Sequence, residues 1–141
     1  MITAEKLDAR FEEFVADTQT FSQYVWRLIE KRKIHNALFM DRTHENRDIY
    51  YSLKRNKLNN PSLEKVLSIA IGVGANMAEF QKMLQLSGKA FEPTNKTHFI
   101  YQEIIWSSDM SKMTIDDFND IYAEIVGEHS YPLGTDYVSY K

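Results

Sequence analysis

Apolar residues along this chain recur mostly at i, i+3, i+4 and i+7, the spacing that gathers them on one face of an α-helix. From Ala4 to Asp17, Leu7, Phe11, Phe14 and Val15 mark an amphipathic helix whose stripe must bury against something, either its own domain or a partner subunit. Thr18 and Thr20 offer caps before a helix over Phe21 to Lys33 with Phe21, Val25, Leu28 and Ile29 on its core face. Trp26 points away from that stripe, which predicts that the N-terminal helix covers it; left exposed, it would mark an interface. Between Ile34 and Pro61 the pattern gives two short helices joined by a tight turn and closed by a basic loop. The second of these is predicted from about Glu45 to Leu53, with Ile49 and Leu53 inward and Asn46, Arg47 and Tyr51 outward.

Asn60 as N-cap with Pro61 at the first helical position predicts a further helix, with Leu63, Val66, Leu67, Ala70 and Ile71 inward and Gly72 and Gly74 as its stop. The Gly72-Val73-Gly74 run follows a helix and brings neither a preceding strand nor a lysine, so it is punctuation and not a phosphate loop. Asn76 with Glu79 three residues later is a capping box opening a helix that Gly88 ends. A helix from Asn95 to Trp106 is apolar on most sides, and a last one, capped by Thr114 and Asp117, carries Phe118, Ile121, Tyr122 and Ile125 up to Gly127. The fold class is therefore all-α. The chain divides into an N-terminal amphipathic helix (1–20), a body (21–90), a helical extension (91–128) packed on the same domain or at a dimer face, and a tail (129–141) without period.

Charge sharpens this outline. The net charge is −3, yet residues 21–67 hold ten basic and five acidic side chains, whereas 1–20 hold two and five and 68–141 five and ten. The basic middle coincides with the pair of short helices, and local charge is what attracts nucleic acid. Glu45 and Asp48 count against it, since a carboxylate on the outward face of the second short helix would repel phosphate. With no cysteine, disulfides and thiolate metal sites are excluded, which fits a cytoplasmic protein. No apolar run approaches the roughly 18 residues that would span a bilayer, so no membrane partner is expected.

Competing chemistry has little support. His35, His44, His98 and His129 lack metal-ligand spacing and suit surface or capping roles. Asp116 and Asp117, adjacent on a helix, diverge by about 100° and serve better as acids at a helix N-terminus than as an acid-base pair. Tyr50 and Tyr51 diverge in the same way and cannot form one stacking platform for unpaired bases, so one is expected to pack and the other to face a duplex. No catalytic motif, metal site or cofactor is expected.

The stretches FSQYVWRLIEKRK, NRDIYYSLKRNKLNNPSLEKVLSIA and MAEFQKMLQLSGKAF, in that order, resemble the phage-repressor-like (XRE-type) DNA-binding domains over Phe21 to about Leu86. HFIYQEII and DFNDIYAEIVG resemble the C-terminal extension of some bacterial members. The resemblance implies a repressor-like helix-turn-helix body of five helices with an added N-terminal helix and two C-terminal ones, and a transcription regulator that binds double-stranded DNA. Carried over, the base-reading positions fall on Asn46, Arg47 and Tyr51, and the phosphate contacts on Lys54, Arg55 and Lys57, with Lys33 beside them. Phe39 stands where the family usually has a small residue, Thr43 where the turn usually has glycine, and Ser52 where an apolar residue is common. A β-branched residue at positive φ is costly, so either the turn has another shape or the register shifts by one. Phe99, Ile104, Ile105 and Trp106 are more than a small interior can hide, which predicts a homodimer interface with two recognition helices roughly 34 Å apart. A protein-binding or antitoxin-like module on the same fold is the alternative.

Overall fold

The computed structural model describes residues 2–17, 19–128 and 130–134, and of 14–17 the backbone alone. Thr18 as a cap, His129, residues 135–141 of the tail and the side chains of Phe14 and Val15 lie outside the described residues. The described chain is all-helical: α1 (Ala4–Asp17), α2 (Phe21–Lys31), α3 (Asn36–Thr43), α4 (Arg47–Lys54), α5 (Leu63–Gly72), α6 (Met77–Ser87), α7 (Lys96–Trp106), a short 3₁₀ turn (Met110–Lys112) and α8 (Ile115–Val126). No helix among the described residues is long and apolar enough to cross a membrane.

The helix starts follow local chemistry. Thr20 with Gln23, Asn76 with Glu79 and Thr114 with Asp117 form capping boxes at α2, α6 and α8, each satisfying two backbone N–H groups that a helix start leaves open. Two of the histidines work as acceptors at turns: His35 Nδ1 accepts from Leu38 N to cap α3, and His98 Nδ1 accepts from Glu92 N. The start of α5 differs from expectation. Ser62 is its N-cap, accepting from Lys65 N, so the helix starts at Leu63, and Asn60 and the buried Pro61 lie before it.

Helix α5 is central, and every residue from Val66 to Gly72 is buried, including Ser68 and Ile69 off the expected stripe. One hydrophobic core joins α2 to α8 through Phe21, Ile29, Phe39, Leu53, Leu67, Phe80, Ile104 and Phe118. The extension thus shares the core of the body. Ile104 and Ile105 sit inside it at 1 % exposure, which corrects their assignment to a dimer face: the chain's own core already encloses them, and Tyr101 of α7 packs on Phe118 and Tyr122 of α8. Phe99 and Trp106 stay outside, at 56 % and 61 % exposed.

The N-terminal helix corrects a second expectation. Leu7 and Phe11 of α1 are 50 % and 65 % exposed, so of the two seats open to this stripe the chain's own domain is not taken by the described side chains, and α1 is not what covers Trp26. Trp26 is covered from α4 instead, with the Tyr50 ring edge-on at 5.0 Å and Lys54 Nζ 6.0 Å above its face.

Candidate nucleic-acid interface

Two helices of eight residues, α3 and α4, are joined by His44, Glu45 and Asn46. Thr43 closes α3 as a fully buried residue, its Oγ1 donating to Phe39 O at 2.6 Å and accepting from Glu45 N at 3.1 Å. His44 takes the left-handed conformation at φ 54, so the register of the turn is shifted by one from Thr43. The β-branched residue remains helical, and the unbranched histidine carries the positive φ that it tolerates better. Phe39, large where a small residue was expected, is buried against Tyr50 at 5.4 Å.

Helix α4 begins at Arg47 and not at Glu45. Asn46 is its N-cap, Oδ1 accepting from Ile49 N at 3.2 Å, so its side chain shapes the helix start in addition to any contact beyond the chain. Glu45 is 2 % exposed and therefore absent from the outward face, which removes one of the two repulsive carboxylates. Asp48 remains exposed. The adjacent tyrosines do not separate, their rings meeting edge to face at 5.5 Å, but they are placed differently, one packed and one outward. Tyr50 turns inward, donating to Ile34 O at 3.1 Å, and burial together with the nearby Tyr51 and Glu30 raises its pKa above the ordinary tyrosine value. Tyr51 is exposed and lies between Arg47 and Arg55 at i, i+4 and i+8, with the Arg55 guanidinium 5.8 Å from its ring centre. Arg47, Asp48, Tyr51, Ser52 and Arg55 line one open groove.

The loop after α4 is fixed to the start of α2. Thr20 Oγ1 donates to Asn56 Oδ1 at 2.6 Å, Ser22 N donates to Asn59 Oδ1 at 3.0 Å, and Ser22 Oγ exchanges hydrogen bonds with the backbone of Leu58 at 2.6 and 3.0 Å. Asn56 supplies a positive φ of 58 and Lys57 N returns to Ser52 O at 2.8 Å, which closes α4 and presents Lys57 at the corner. With the start of α2 against this loop and its end held to Tyr50 through Ile34, α2 and α4 run in opposite senses. Lys33 (φ 55) lies just past the end of α2, Lys54 ends α4 and Lys57 lies in the loop after it, and all three are exposed.

The basic segment also contains a cation with a different job, which the sequence reading missed. Arg32, between Lys31 and Lys33, donates to both oxygens of Glu79 at 2.7 and 2.8 Å and to Val73 O at 2.9 Å, tying α2 to the α5–α6 corner. Burial alone would push the Glu79 carboxyl up, but the Arg32 and Asn76 hydrogen bonds and the charges of Arg32 and Lys31 outweigh it and hold the pKa below the ordinary value. The only hint in the sequence was that Glu79 closes a capping box. Among the described residues, none forms an ion pair with Arg47, Lys54, Arg55 or Lys57. No family model, curated protein or solved structure matches this chain.

Proposed function

We propose that this protein is a regulator that binds double-stranded DNA through α4, in the manner of the repressor-like helix-turn-helix domains it resembles. The observation that carries this reading is the outward face of α4: Arg47, Tyr51 and Arg55 in line along a short helix after a three-residue turn, with Lys33, Lys54 and Lys57 alongside. Arg47, in the first turn, suits a bidentate pair with guanine, and the flanking lysines suit phosphate. Selecting bound fragments from random duplex with the purified protein tests it, with affinity followed against salt. A regulator enriches one motif and loses affinity steeply as salt rises, because phosphate contacts release counterions. Recovery of no motif together with a flat salt response would reject the reading.

The exposed Phe99 and Trp106 on α7 support pairing of two copies about a two-fold axis, which would set paired recognition helices one DNA turn apart. Trp106→Glu should then convert a dimer to a monomer in sedimentation at tens of micromolar while far-UV circular dichroism stays unchanged. A wild-type chain that sediments as a monomer at that concentration overturns the pairing. The exposed Leu7 and Phe11 on α1 favour a second reading, a protein-binding module on the same fold, and such a module would show no salt-dependent retention on duplex.

A further inference from the structure

The segment after α8 has no hydrophobic period, yet residues 130–134 are held in place by directed contacts. Asn119, buried on α8, gives both ends of its side-chain amide to one residue: Nδ2 donates to Leu133 O at 3.0 Å, and Leu133 N donates to Oδ1 at 3.1 Å. Leu133 is 2 % exposed, and the next residue, Gly134, donates its N–H to Ser68 Oγ of the central helix at 3.2 Å. Gly134 has φ +69, and a Cβ placed on it would collide with Cβ of His44 and lie 3.3 Å from its Cγ and its carbonyl oxygen. His44 is the residue whose left-handed conformation turns α3 into α4. At the residue before it, a Cβ on Gly72 of α5 would collide with Thr43 Cγ2. Two successive residues at the turn are thus each seated against a glycine, one from the central helix and one from the C-terminal segment.

We infer that residues 130–134 are a brace behind the turn, and that Gly134 is a positioning residue: its missing side chain lets the segment locked by Asn119 bear on His44 and fix the angle at which α4 leaves α3. The consequence for DNA rests on the function proposed above; the placement of α4 does not. Loosening the brace should leave the core intact and let α4 open locally, because local opening follows the contacts of the opening unit.

Hydrogen exchange in the full-length protein, compared between Gly134→Ala and Gly88→Ala, tests this. Gly88 has the same φ of +69 with nothing within 4 Å of an added Cβ, so it carries the backbone strain without the collision. Gly134→Ala should lower protection of the α4 amides roughly tenfold while the central amides of α5 keep theirs, and Gly88→Ala should leave α4 unchanged. Adding His44→Gly, which removes the colliding atoms and suits a positive φ, should restore α4 protection in the Gly134→Ala background. If Gly134→Ala fails to fold, Asn119→Ala, which frees Leu133 without a collision, should loosen α4 in the same selective way. Unchanged α4 protection, an equal loss throughout α5, or no rescue by His44→Gly overturns the brace. In a parallel arm, Gly134→Ala should reduce the ratio of selected-site to random-duplex affinity; a wild-type chain indifferent to duplex would reject the DNA reading while the exchange data still decide the brace.

Discussion

Arg32 and Arg47 stand in the same basic segment, one just past the end of α2 and the other at the start of α4, and the fold treats them in opposite ways. Arg32 is drawn inward, its guanidinium bonded to both Glu79 oxygens and to a backbone carbonyl. Arg47 is exposed on a face shared with Tyr51 and Arg55, and no described residue pairs with it. A partly buried, three-contact arginine that joins α2 to α6 contributes to stability, whereas an exposed one adds little to it. Net charge by segment therefore overstates what is open to a ligand. It is the cations without an internal partner that need an external explanation.

The largest expected effect falls on the inward arginine. Arg32→Ala should cost about 2–3 kcal/mol in urea unfolding, since it breaks three hydrogen bonds and leaves the Glu79 side chain, 18 % exposed, without its guanidinium. Arg47→Ala should change stability by no more than about 0.5 kcal/mol. The pH response sharpens the contrast. The folded-state pKa of Glu79 is depressed, so its contribution is complete above the ordinary carboxylate pKa and is lost as pH falls through the folded value. Arg32→Ala should flatten that acid limb and Arg47→Ala should not. Equal destabilisation by the two variants would erase the distinction.

If the proposed function holds, the order reverses on DNA. Arg47→Ala should lose about 1–3 kcal/mol on the selected site and relax base preference at one position, with random duplex affected much less. Equal loss on both would reduce Arg47 to a phosphate contact.

Much of this arrangement was legible in the sequence, and the failures share a cause. Caps and periods are local, so Thr20, Asn76, Thr114 and the inward Leu53 could be read directly. What a stripe packs against is not local. Leu7 and Phe11 have a helical period as clear as that of Phe118 and Tyr122, yet the first pair is exposed and the second buried, because burial depends on where the chain brings a second surface. The turn was misplaced by one residue because a rule about glycine pointed to Thr43, when the deciding fact was the close approach of Thr43 to Gly72, 29 positions away in sequence. The brace at Leu133 and Gly134 was invisible for the same reason: it consists of directed hydrogen bonds to Asn119 and Ser68, and those leave no period.

The smallest effect divides the outward cations among themselves. Lys57 is presented where the loop is fixed to the start of α2, and unlike Lys54 and Arg55 it has no described aromatic ring beneath it. A lysine at such a corner meets phosphate as a point charge and reads no base. Lys57→Gln should therefore weaken selected and random duplex alike and make the dependence of log affinity on log salt shallower by about one unit, the contribution of one phosphate contact. Lys54 should differ. Its ammonium lies over Trp26, so replacing it also disturbs the packing of α2 on α4 and should lower stability slightly as well as affinity. A salt slope unchanged by Lys57→Gln would place the corner of the loop off the DNA and confine the interface to the Arg47–Tyr51–Arg55 face.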